Sequence, residues 1–266
     1  MKKFLLLLLT STILMAGGVS AAPLDDYSTS GNASISFYAM RPDMKGEREN
    51  PDPYGNFIYD YGNKWSWGGE ATIAIAPKWA LSTDYAHYKN KKESIFVNTT
   101  TTNYMSSNLK STGIKLKYQA HKDKRLFVAP YLGVSINKLQ RRFKADMSQS
   151  GYGVFRFAYE TQHKIAPVAG VTVVYALDKD SNFKTYFDVA AGKKVYSLNI
   201  GLSCKLVKNF DLDFGYKYHK AKGLSYSHPT TYVTGSAGLA VPIPAEHDSI
   251  TSTSKGIYIG LSYKFK

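Results

Sequence analysis

The sequence has a single cysteine, Cys204, so no disulfide forms within the chain and stability must come from strand pairing and packing. It has no stretch with the 3.6-residue apolar period of an amphipathic helix, which argues against helix bundles and α/β layers. There is no glycine-rich phosphate loop and no nucleophile elbow. Its six histidines show no ligand spacing supported by nearby cysteines. No catalytic, metal or cofactor site is therefore assigned. Nor does any shift in composition divide the chain, which is long enough for one large all-β domain.

The chain has one long apolar run, and it lies at the start. Lys2 and Lys3 precede Phe4 to Met15, and the small residues Val19, Ser20 and Ala21 then form a cleavage site before Ala22. Residues 1–21 read as a secretory signal peptide, because the run is shorter than the roughly 20 residues a spanning helix requires. Residues 22–266 are then the mature domain, with 22–30 expected to be polar and loose. The formal charge is +14, or +12 once the two leader lysines are removed. An exported chain rarely meets nucleic acid, so anionic lipid headgroups, lipopolysaccharide or surface polysaccharide are the expected counterpart. The 21 tyrosines suit a protein whose rings sit where apolar and wet surroundings meet.

Ten segments alternate apolar and polar side chains with the period of two expected of strands. They begin near Gly31, Trp65, Trp79, Asn108, Leu126, His163, Phe183, Val195, Phe210 and Gly256. Short turns such as Pro77-Lys78, His121 to Lys124, Asp178 to Asn182 and Val207 to Asn209 alternate with mostly long polar connections. The exception is the tight Gly192-Lys193-Lys194 link, and eight strands result if the two beside it are misread. An even number of antiparallel neighbours with that asymmetry predicts a transmembrane up-and-down β-barrel with short periplasmic turns and long external loops. Pro130 lies inside the fifth segment, which predicts a bulge or an unpaired amide.

The last segment is the most informative. Ile257, Ile259, Leu261, Tyr263 and Phe265 fall on one face, while Gly256, Tyr258, Gly260, Ser262 and Lys264 fall on the other. Its length matches the 9 to 11 tilted residues of one membrane crossing. Gly260, Tyr263 and Phe265 resemble the C-terminal assembly signal of bacterial outer-membrane barrels, which usually end on the aromatic itself, whereas this chain adds Lys266. That resemblance implies the barrel assembly machinery as a partner and the outer membrane as the location. The whole mature pattern resembles the small outer-membrane barrels of the opacity-protein, OmpX-like and OmpA-like kind. Members of that kind act as adhesins, structural barrels or narrow pores, which implies a surface protein with external protein or glycan ligands.

Alternation alone does not say which face is inside, since a lipocalin-like soluble barrel has the same period in the opposite sense. Aromatics at strand ends (Trp65, Trp67, Trp79, Tyr218) favour lipid outside. Glu70, Asp84, Asp188, Asp211 and Asp213 would then share the lumen with Lys115, Lys117, Lys184, Lys205, Lys217 and Lys264. Ten strands enclose a narrow bore, so these charges are expected to pair and plug it, and a narrow porin-like channel is the alternative. Ten-stranded outer-membrane proteases of the omptin-like kind pair acids with a histidine. Here Asp211, Asp213 and His219 share a face, but the acids and the histidine are too far apart along one strand to act together. Leu239, Val241 and Ile243 lie in an apolar stretch of the longest loop and mark a candidate partner-binding segment; a fold over the barrel mouth accounts for it equally.

Overall fold

The computed structural model describes residues 23–48, 58–60, 64–89, 93–98, 101–147, 153–161, 163–228, 231–234, 240–243 and 246–265. The expected leader, residues 1–21, lies outside these. Ten strands close one barrel: β1 (Ala33–Met40), β2 (Ser66–Ala76), β3 (Trp79–Lys89), β4 (Thr101–Tyr118), β5 (Leu126–Met147), β6 (Lys164–Ala176), β7 (Phe183–Ala191), β8 (Val195–Val207), β9 (Phe210–His228) and β10 (Glu246–Phe265). Each pairs antiparallel with its sequence neighbour, and β1 pairs with β10 from Ala33↔Phe265 to Met40↔Tyr258. Hydrocarbon offers a backbone amide no alternative partner, so this last ladder is what makes a spanning sheet tenable.

Side chains divide between the faces as the pleat requires. Ile257, Ile259 and Leu261 point outward at 77%, 46% and 50% exposure, whereas Lys115 and Asp213 point inward at 8% and 0%. That distribution is the reverse of a soluble barrel, whose greasy face would be the dry one. The apolar band is bounded by rings at both ends. Trp79 packs on Tyr118 with centroids 4.9 Å apart and Phe210 on Tyr263 at 4.6 Å at the end carrying the short turns, and Trp67 packs on Tyr85 at 5.4 Å at the other. Tyr263 also meets Phe265 at 4.7 Å, so both aromatics of the terminal signature belong to the turn-side girdle. In the turns, Lys78 and Asn209 adopt φ of 70° and 76°, the left-handed conformation that lets two strands reverse tightly.

One expectation from the sequence is corrected here and two are made more specific. Among the described residues the long external connections carry strand extensions, since β4, β5, β9 and β10 continue far past the apolar band. Asp43–Arg48 adds to β10, Ile58–Asp60 to Asp43–Arg48, Glu93–Asn98 to β4 and Gly153–Glu160 to β5. Polar strands above a membrane keep their ladders although water replaces lipid, so the apolar alternation that reveals a strand disappears there. Pro130 causes no bulge; it pairs in register with Val171, one residue beyond the last β4 pair, Lys117↔Tyr131. It is the unpaired-amide alternative that describes it. Residues 23–30 are not loose. Leu24 and Tyr27 are 3% and 0% exposed, inside the bore.

The sense of the barrel predicts unequal tolerance of charge. Leu261→Lys should cost about 2–4 kcal/mol in urea unfolding from lipid vesicles, as a cation near the midplane does. Lys205→Gln, which changes charge at the exposed end of the lumen face of β8, should change it by under about 1 kcal/mol. The folded protein should also migrate faster than the boiled protein in a gel.

Candidate functional site

The lumen is where the chain concentrates its buried chemistry. Across its centre lie three carboxylates and three lysines. Lys117 Nζ donates to Glu70 Oε1 at 2.8 Å, and the same oxygen accepts from Ser82 at 2.6 Å and Thr72 at 2.8 Å. Lys115 lies 2.9 Å from Asp84 and 4.0 Å from Asp188. Asp188 in turn accepts from the Tyr131 hydroxyl at 2.9 Å and from Thr172 at 2.5 Å. Glu70 and Asp84 are Cα partners across β2 and β3, so Asp84 has an acid beside it that lies 14 residues away in sequence. Each of the two has its own lysine, Lys117 on Glu70 and Lys115 on Asp84, which offsets their mutual repulsion.

The third lysine, Lys217, is 3% exposed and lies over the rings of Tyr38 and Tyr258, 4.6 Å and 5.1 Å from their centroids. Cation–π attraction there replaces a carboxylate partner. A cavity of about 50 Å³ separates it from Asp84, Asp188 and Lys115. With Glu70, Asp84 and Asp188 against Lys115, Lys117 and Lys217, these six central charges cancel.

Four tyrosines lie across the bore, each in front of a glycine. Tyr38 is opposite Gly68 and Gly260, Tyr186 opposite Gly201, Tyr258 opposite Gly215 and Tyr131 opposite Gly170. A Cβ at Gly68, Gly201, Gly215 or Gly170 would run into the facing tyrosine, so only glycine lets the ring lie flat on its neighbouring strand. The Tyr186 and Tyr258 hydroxyls meet each other. The sequence shows these pairs only once strand register is known, although tyrosine and glycine recurring on the same face is their trace.

Below the centre, residues 23–27 of the segment 23–32 enter the bore from the side of the short turns, while 28–31 stay exposed and Gly31 and Asn32 hydrogen-bond to Ala74 of β2. The Tyr27 amide donates to Gln119 Oε1 at 3.0 Å, and its ring packs edge-on against Phe127 with centroids 5.1 Å apart. Asp25 lies 2.5 Å from Lys184 and 3.7 Å from Lys264, and Asp26 lies 2.7 Å from Lys122. Lys264 also lies 2.7 Å from Asp211. Burial opposes ionisation of Asp25, yet Lys264 and Lys184 together hold its carboxyl at about 2, below the ordinary 3.8. The signal for this plug was Leu24 and Tyr27, two large apolar side chains in an otherwise polar segment.

The lumen residues expected from the sequence therefore fall in different places. Glu70, Asp84, Lys115, Lys117 and Asp188 form the central pairs; Lys184, Asp211 and Lys264 join the plug. Asp213 accepts from Ser262 at 2.5 Å. Lys205 is exposed at the mouth, outside the network. The acids and histidine of the protease-like alternative do not meet, since His219 Nε2 contacts Asn137 Oδ1 at 3.0 Å and its ring stacks on Tyr88. Cys204 lies between the outward Leu202 and Leu206. Of the candidate binding segment, Leu239 lies outside the described residues, while Val241 and Ile243 sit in a short strand, Ala240–Ile243, paired with Thr231–Thr234.

Because the folded pKa of Asp25 is depressed, its contribution is complete above about pH 4 and is lost as pH falls towards 2. It is worth about 2 kcal/mol. Hydrogen exchange at Leu24 to Tyr27 should accelerate over that window and be fast at neutral pH in Asp25→Asn.

No curated protein shows a significant sequence match. The barrel superposes on the outer-membrane protease OmpT from Escherichia coli with a TM-score of 0.50 and 11% identity, covering 92% of this chain and 100% of that one. It also matches Neisserial surface protein A, at TM-score 0.31, 18% identity and coverage of 89% and 98%. Ail, the attachment invasion locus protein of Yersinia pestis, matches at 0.35 and 10% identity, covering 89% of this chain and 100% of that one. At such identities the OmpT likeness speaks for a ten-stranded fold alone. The family model for the outer membrane protein beta-barrel domain matches residues 11–265, and with the closed ladder and outward apolar band this chain belongs to that family.

Proposed function

We propose that this chain is a closed, non-enzymatic surface barrel, stopped by its own charges and by the segment 23–32, whose outer strands and loops contact external partners. The observation that carries the reading is the occupancy of the bore: the central ion pairs cancel, tyrosine rings lie across the remaining space, and Leu24 and Tyr27 fill the turn-side end. Buried pairs of this kind are a costly way to build stability, so they suit a wall that must be polar on its inner side and yet shut.

The outer rim suggests the chemistry of the partner. Lys89, Lys110, Lys138 and Arg142 all lie on the outward face of β3, β4 and β5, above the Trp67–Tyr85 contact. Lys110 and Lys138 are direct Cα partners. A phosphate or sulfate group bound between the two lysines would be attracted by both. Lipopolysaccharide phosphates or an acidic surface glycan supply such groups. Assembly of the barrel by the envelope's own machinery, after removal of residues 1–21, belongs to the same reading.

A second reading, a narrow channel for small solutes, is favoured by one observation: the plug is held by ion pairs and packing and is not a strand of the wall. Planar bilayers separate the two. The intact chain should show no resolvable single-channel steps, and neither should a variant lacking residues 23–30, because the central ion pairs and tyrosines still close the bore; steps from that variant would favour a channel closed only by its plug. Steps from the intact chain would favour the channel. Glu70→Gln, which strands Lys117 in the bore, should cost about 3–5 kcal/mol in urea unfolding, while no hydrolytic activity should depend on Asp211, Asp213 or His219.

A further inference from the structure

The mouth on the short-turn side holds a cavity of about 330 Å³, floored by Leu24 and Asp26. Its wall carries acids and bases, but the acids are already engaged. Asp25 is held by Lys184 and Lys264, Asp26 by Lys122, and Asp211 by Lys264. Asp123 accepts the backbone amides of Arg125 and Leu126, both at 2.7 Å. Asp180 is the exception.

The cations are in the opposite condition. Lys124 and Arg125 on the β4–β5 turn, and Lys205 and Lys208 at the β8–β9 turn, line the same cavity and make no ion pair among the described residues. The two turns are separated by four strand positions out of ten, so two cationic pairs face one another across the mouth. Lys205 is on the lumen-facing register of β8 with Ser203, which turns it towards the aqueous opening and away from lipid.

We propose that this vestibule binds a soluble anion with at least two carboxylate or phosphate groups, one for each cationic pair. Arg125 presents a planar fork that matches either group through two parallel hydrogen bonds, and the lysines supply charge without fixed geometry. A cavity of this size accommodates a small polyacid or a phosphorylated sugar, within the range usual for small-molecule sites. A monovalent anion reaches one pair only and binds weakly.

Isothermal titration of the refolded mature protein in zwitterionic detergent tests this, with citrate and pyrophosphate as probes and acetate as control. Saturable one-to-one binding of both probes is expected, with acetate at least about tenfold weaker. The double variant Arg125→Gln with Lys208→Gln should lose about tenfold in affinity, and a control pair away from both rims' cation clusters, Lys193→Gln with Lys255→Gln, should lose none. Both variants alter exposed side chains, and their gel mobility before and after boiling verifies closure. Absence of saturable binding at millimolar probe, or equal loss in both variants, would overturn the proposal. So would abolition of citrate binding when nanodiscs contain phosphatidylglycerol in addition to phosphatidylcholine, since the cations would then serve lipid headgroups.

Discussion

A spanning sheet cannot leave an edge in hydrocarbon, and the pairing of β1 with β10 is where this chain meets that requirement. Once the ladder closes, everything else is constrained. Alternate residues must face lipid, the others must face a bore of fixed width, and reversals on one side must be short enough to keep ten strands in register. Ile259 and Leu261 are outside and Ser262 and Lys264 inside for that one reason.

A ten-stranded bore is too narrow to hold unpaired charge in bulk water, and at the level of its central charges it is too polar for aliphatic packing, whereas Met44, Leu109, Leu139, Leu224 and Ile250 pack at the outer end. The chain resolves this with two devices. Tyrosines lie flat on glycines of the adjacent strand, as Tyr258 does on Gly215, and so fill volume while keeping a hydroxyl for polar neighbours. Lysines and carboxylates then pair across strands, with the segment around Tyr27 completing the seal from one end. Function follows from the division of labour. In the proposed reading the centre is a stopper and contact with other molecules falls to the two rims, where Lys110 and Lys138 stand at one and Arg125 and Lys208 at the other.

The barrel strands were readable because their two faces differ so sharply in polarity. Leu198, Ile200 and Leu202 against Asn199, Gly201 and Ser203 leave little choice of structure. Reading failed where that contrast fades. Beyond the membrane, β5 runs through Lys138, Gln140, Arg141 and Arg142, polar on both faces, and its hydrogen-bonded partner strands leave no mark in composition. Segment 23–32 escaped for another reason, as its burial depends on Gln119, Phe127 and Lys184, residues far along the chain.

The sequence by itself determined the class of fold, the outward greasy stripe and the set of charges available to the bore, because a strand's alternation is a local property of successive residues. Only the tertiary structure decided which charge meets which. Lys117 finds Glu70 across 47 residues and Asp25 finds Lys184 across 159, contacts that exist once closure and register bring distant strands to the same level of one cylinder.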